Sequence, residues 1–352
     1  MTQLLFDVSF VQSILRVVKR ISSSVSMISI VGLALALAAP VVQASTFTCA
    51  SGDVQCLIIA INQANANGQP ENTIQLKPGT YTLTNIDNNT DGPNGLPSIT
   101  STLTIHVAAH KTATITRASN ALNFRLFHVA ASGRLTLRGL TLSNGSSGVS
   151  GGGGLFNNGG VVTIANSTFI SNAGLPGGGL VNNNGAVTII GSVFDSNRAP
   201  GLFVPGSALA NSGELTIVRS TFSNNVGDGA ALATTNGVVR INRSRFSKNF
   251  AGHIVGGLYI LGGVVLMTET TFDGNGADGA GAVYVASDSA TLIVNDSAFV
   301  ENIAQGSGSG AAIANLGTVQ VTNTTFARNI ASTLFPAKRH CNRELWDAKS
   351  DE

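Results

Sequence analysis

Apolar and polar residues alternate with period two along most of this chain, in segments too short to be helices. In ELTIVRSTFSNN (214–225), Leu215 and Ile217 face one way, and Ser220 and Phe222 do so again beyond a corner at Val218–Arg219. Alternation over three to five residues predicts strands. The pattern returns as VVTIANSTFISN, AVTIIGSVFDSN, VVRINRSRFSKN, VVLMTETTFDGN, LIVNDSAFVEN and VQVTNTTFARN. The repeated Phe falls at 169, 194, 222, 246, 272, 299 and 326, with Leu142 in the equivalent place one unit earlier. Spacings of 24 to 28 residues are too irregular for stacked helical repeats. A coil of short strands absorbs such variation at its turns. A second segment recurs between the Phe units (GGGLFNNGG, GGGLVNNNG, GSALANSG, GAALATTNG, GGLYILGG, GAVYVAS, GAAIANLG), so each unit is expected to hold about three strands.

A unit of this size cannot bury its own apolar face, so its neighbours must stack on it. Parallel stacking puts each Phe over the last at the ~4.8 Å strand spacing. The expected fold is therefore all-β, a right-handed parallel β-helix of roughly ten coils with a short N-terminal capping helix. Phe fills the interior as an aromatic ladder, and the Ser or Thr two places earlier is small and inward. Asn at 172, 197, 225, 249, 275, 302 and 329 is expected to take the left-handed turn conformation and to bond its neighbours up the ladder.

The entry segment SGDVQCLIIAINQANANG carries Val54, Leu57, Ile58 and Ile61 at helical spacing, with Ser51 or Asp53 as N-cap and Gly68 as terminator. NTIQLKPGTYTLT then reads as two strands that begin the coil. Ahead of both, Arg16, Lys19 and Arg20 precede the apolar run MISIVGLALALAAPVV, and Val42 and Ala44 stand where a signal peptidase needs small residues. The resulting division is a signal peptide over 1–44, a capping segment over 45–71, the β-helix over 72–330 and a charged tail over 331–352. For that tail, a short cap and the remnant of a longer C-terminus are both open.

The motifs GGGL, GAAI and F-x-x-N resemble the repeats of polymorphic outer membrane proteins, a family of surface-exposed autotransporter passengers. The block CASGDVQCLIIAINQANANG is similar to bacterial β-helix proteins whose entry motif reads Cys-Ser-Leu-Arg-Glu-Ala-Ile, though LIIAI here lacks the Arg-Glu pair. The resemblance implies a secreted or cell-surface protein of structural or adhesion-like type, with membrane association only through export or outer-membrane display. Its implied partners are glycans or proteins of a host or neighbouring cell. It implies no catalytic residue.

Charge narrows the classes further. Only 11% of residues are charged and the net charge is +2, which points to no polyanion and no nucleic acid. Of three cysteines, Cys49 and Cys56 lie in the exported part, where an oxidising compartment favours a disulfide, leaving Cys341 free. The five histidines have no metal-ligand spacing, so no metal site and no cofactor are expected.

β-Helices also carry polysaccharide lyases and glycoside hydrolases, so an enzyme is the rival class. Its candidates stand in the column three before each Phe, where stacking brings Arg243, Glu269 and Asp296 together; a solvated ion-pair ladder is the blander reading. AGHI (251–254) and NTD (89–91) read as chance matches to hydrolase motifs. DNNTDG (87–92) begins like a Ca²⁺ loop but has Ser98 at position twelve, and reads as an Asx-rich turn. Tyr259 and Tyr284 follow the inward Leu258 and Val283 on successive units, and form either an outward two-ring step for a sugar or protein, or local packing under a loop.

Overall fold

The computed structural model describes residues 44–201, 206–306 and 310–332. The expected leader up to Gln43, and the tail from Thr333 with Cys341, lie outside the described residues. What it describes is an all-parallel β-solenoid of about ten turns. Sheet 1 has eleven strands, from β1 (Ser45–Cys49) and β2 (Asn72–Leu76) to Thr318–Thr322. Sheet 2 has ten, from β3 (Gly79–Leu83) to Thr325–Ala327, and sheet 3 eight, from Phe127–Val129 to Ile313–Asn315. A fourth sheet, absent from the three-strand expectation, has six strands of two residues each, from Arg198–Ala199 to Ile330–Ala331. Two-residue strands show no alternation, which is why the sequence pattern hides them.

Register is set by the inward columns. Phe169, Phe194, Phe222, Phe246, Phe272, Phe299 and Phe326 stack with centroids 4.6 to 5.2 Å apart. All but Phe326 are fully buried. A one-residue slip would turn every such side chain to solvent, so the pairing is strongly specified.

Between sheets 1 and 2 the chain turns on a single residue with positive φ: Gly191, Arg219, Arg243, Glu269, Asp296 and Asn323 occupy this corner. The Ser or Thr after it supplies the lost pairing. Ser220 Oγ accepts from the Ser192 N–H at 3.1 Å and donates to the Val218 carbonyl at 2.8 Å.

The Asn ladder works differently from the expectation. The left-handed residue is the one before each Asn, namely Ser171, Ser196, Asn224, Lys248, Gly274, Glu301 and Arg328. Asn itself is freed to point inward. Asn225 Oδ1 accepts from both the backbone N–H and Nδ2 of Asn197, while its own Nδ2 donates to the Phe194 carbonyl at 2.9 Å. Every buried polar atom of the turn is thus paired, as burial demands. A second, shorter ladder joins Asn157, Asn182 and Asn211 on sheet 3 and ends on Thr234.

The entry is closed by helix α1 (Val54–Ala66), whose Leu57, Ala60, Ile61 and Ala64 are buried on the first coils. Asp53 caps it by accepting the Cys56 N–H at 2.9 Å. The strand β1 pairs with β2, so the capping segment also supplies the first strand of sheet 1. Cys49 on β1 and Cys56 on α1 form a disulfide with Cα atoms 5.6 Å apart, tying strand to cap. Among the described residues no helix is long and apolar enough to cross a membrane.

Candidate functional site

Sheet 3 has an outward column that runs His128, Phe156, Val181, Ala210, Ala233, Tyr259, Tyr284 and Ala314, one residue per coil. The inward column beside it starts at Phe127 and Leu155 and continues through Leu180, Leu209, Leu232, Leu258 and Val283, all fully buried. The outward residues share none of that uniformity.

Tyr259 and Tyr284 stand on adjacent coils with ring centroids 5.6 Å apart and planes tilted by 31°. Both are half-buried and pack with Ile254 on a small apolar floor of Ala230, Val255, Ala280 and Ala314. The rings point out of the solenoid core, and Ile254 of a neighbouring turn packs beside them. Burial pushes the Tyr259 phenol above its ordinary pKa, with the neighbouring Tyr284 adding to the effect. The ring stays neutral, with a hydroxyl able to donate. His253, in the same turn as Ile254, has its Nδ1 2.5 Å from Asp228 Oδ1. A two-ring step with polar groups at its edge can stack on an apolar face and orient a hydroxylated one.

The charged corner column gives a different picture. Arg243 Nε and Nη2 reach Glu269 Oε2 and Oε1 at 2.8 and 3.2 Å, a bidentate pair on the solvent side of the corner. Bonding to Glu269 raises the Arg243 pKa. Asp296 Oδ1 accepts instead from Asn323 Nδ2 on the next coil, at 2.5 Å. Glu269 and Asp296 thus have separate partners. Their side chains stand on exposed corner residues, where solvent screens an ion pair and it contributes little to stability.

One cluster escaped the sequence reading. The segment 84–101, inserted in a single coil, folds over the start of the sheet 3 column. His128, only 1% exposed in its side chain, has Nε2 2.9 Å from Asp91 Oδ2. Its Nδ1 lies 2.9 Å from Ser98 Oγ. The fully buried Arg125 donates through Nη2 to the carbonyls of Asp91 and Ser150, both at 2.8 Å, and its guanidinium lies 4.6 Å over the Phe156 ring. Burial lowers the Arg125 pKa to about 10, partly opposed by Asp91. It also lowers His128, against the pull of the same carboxylate. The Asp91 carboxyl is held below its usual range, first by the hydrogen bond from Asn158 and then by His128.

Ser, His and Asp are in hydrogen-bond sequence here, but the order of exposure is wrong for a nucleophile. Asp91 is the exposed member, and Ser98 Oγ also faces Asn88 Oδ1 at 3.3 Å. Acyl transfer needs the Ser, not the Asp, at the substrate. The group is a clasp holding the inserted loop. Within that loop, Asn88 Oδ1 accepts from the Thr90 N–H and Asn94 Nδ2, an Asx turn within DNNTDG. The available sequence signal was the insertion's length: eighteen polar-rich residues in one coil must lie on some flank.

No curated protein matches this chain. The family of right-handed β-helix regions has a sequence model that matches residues 104–263, a span that apart from 202–205 lies within the residues described above. The chain is a β-helix repeat protein, similar over those residues to the right-handed β-helix family.

Proposed function

We propose that this is an exported, non-enzymatic β-helix protein, displayed at or released from the cell surface, that binds glycans or proteins of a neighbouring cell through the flank of sheet 3. The observation that carries this reading is the Tyr259–Tyr284 step, half-buried outside the core on a floor of Ala and Val. A solenoid suits the role because its inward ladders hold the backbone while its turns differ in length from coil to coil. The likeness of GGGL, GAAI and F-x-x-N to polymorphic outer membrane protein repeats supports surface display, and the apolar run before Ala44 supports export.

The enzymatic alternative, a polysaccharide lyase or glycoside hydrolase, rests on Arg243, Glu269 and Asp296. Depolymerisation assays on a polysaccharide panel, with Glu269→Gln beside the parent, separate the two. Binding to cells or glycans without turnover, weakened about tenfold or more by Tyr259→Ala, is the expected result. Chain cleavage that disappears in Glu269→Gln overturns it.

A further inference from the structure

The fourth sheet has an outward column of its own, headed by Arg198 and carrying no polar side chain from Val226 onward. Register pairs Val226 with Phe250, Phe250 with Gly276, Gly276 with Ile303 and Ile303 with Ile330. Val226, Phe250, Ile303 and Ile330 are 39, 45, 36 and 55% exposed, four of the nine exposed large hydrophobics among the described residues. Scattered exposed apolar residues are ordinary; a contiguous file of them marks an interaction surface. The file spans about 19 Å at the usual strand spacing of ~4.8 Å.

The column of left-handed residues alongside sets the polarity of this stripe. Coil by coil, Asn224 accompanies Val226, Lys248 accompanies Phe250, Gly274 accompanies Gly276, Glu301 accompanies Ile303 and Arg328 accompanies Ile330. Both columns have glycine on the same central coil. The pattern is nearly its own complement about that coil: a large apolar residue stands on each side, with Lys248 on one flank and on the other Glu301, whose Oε1 also accepts from Arg328 Nε of the next coil at 2.7 Å.

We propose that two copies of this chain associate side by side and antiparallel through the fourth-sheet stripe, with a two-fold axis at the Gly274–Gly276 coil. An isologous contact of this kind closes on itself. It faces Phe250 with Ile303 of the second copy and Val226 with Ile330. Each Lys248 comes opposite a Glu301, twice over. Glycine at the central coil leaves room for the Phe250 ring, which leans over Gly276, so the apolar contact runs on across the axis. Parallel packing aligns Lys248 with the coil's own His253 side instead and pairs no opposite charges. On the far flank the axis coil carries the exposed Asp278, so two carboxylates face each other there and weaken the contact. The apolar core is small compared with the ~800 Å² per partner of a standard interface, so the dimer is a weak one, in the micromolar range.

Sedimentation equilibrium of the full chain over a concentration series tests this, with far-UV circular dichroism confirming that each variant is folded. The expected parent behaviour is a reversible monomer–dimer equilibrium. Phe250→Asp raises the dissociation constant more than about tenfold. Lys248→Glu and Glu301→Lys each raise it severalfold and together restore it, while Asp278→Asn lowers it. A parent that stays monomeric at the highest concentration overturns the proposal, as does a dimer indifferent to Phe250→Asp. Failure of the double charge exchange to restore association, or of Asp278→Asn to strengthen it, overturns the antiparallel register and the proposal with it.

Discussion

The interior and the flank of sheet 3 are built on the same strands yet obey different rules. Inward, Leu155, Leu180, Leu209, Leu232 and Leu258 repeat almost without change; outward, the adjacent column runs from His128 and Phe156 through Val181 and two alanines to Tyr259 and Tyr284. Each inward site sees the same environment one coil up and one coil down, so one solution serves all. Each outward site sees whatever loop its own coil happens to carry. Near His128 that is the 84–98 segment with its polar clasp; near Tyr259 it is a short Gly-rich turn. Uniform columns hold the solenoid, and variable columns are where binding can be placed without cost to it.

If that contrast is right, substitutions should rank by which side they touch. Phe246→Ala removes a fully buried ring stacked between Phe222 and Phe272. It should destabilise by about 3–5 kcal/mol in denaturant titration. Asn249→Ala takes away the acceptor of both the N–H and Nδ2 of Asn225 and the donor to the Phe222 carbonyl. With several buried groups orphaned, a loss of about 2–3 kcal/mol is expected by the same measurement. A neutral result for either would show that the ladders do not hold the coils together.

Outward changes should cost less and act locally. Arg125→Met keeps the packing on Phe156 but loses one hydrogen bond to the inserted loop, at Asp91, and one to the Ser150 carbonyl, for about 1–2 kcal/mol. Limited proteolysis should then cut first within 84–98. The clasp is also acid-sensitive. The folded pKa of His128 lies below 6.5, so as pH falls beneath 6.5 the unfolded chain takes up the proton first and stability declines. Asp91, with its folded pKa also lowered, adds a loss in the same direction at more acid pH, when it protonates. His128→Gln should flatten the fall of the thermal midpoint just below pH 6.5 and leave the more acid part in place. Tyr259→Ala should be the mildest for folding, below about 1 kcal/mol, while removing most of the binding. Equal destabilisation by Tyr259→Ala and Phe246→Ala would erase the distinction between the two faces.

The β-helix itself was legible before any coordinates, because period-two alternation and a Phe every 24 to 28 residues admit few other folds. Helix α1 was legible too, from four apolar residues at helical spacing. Residues that do the same thing in every coil announce themselves by repeating. The turn geometry was read one residue out of place: Asn224 and Lys248, not Asn225 and Asn249, take positive φ, since composition shows that a turn needs Asn but not which atom of it faces inward.

What remained for the tertiary structure was everything that happens once. Asp91 and His128 stand 37 positions apart and meet only because one inserted loop folds back over the first strand of sheet 3. The alignment of Val226, Phe250, Ile303 and Ile330 depends on strands of two residues, too short to show a period. The pairing of Arg243 with Glu269, and of Asp296 with Asn323 rather than Glu269, depends on how side chains leave a left-handed corner. A pattern along the chain can encode the contact a coil makes with its copies. It cannot encode a contact between two segments that have no counterparts, because only the folded path of the chain brings those together.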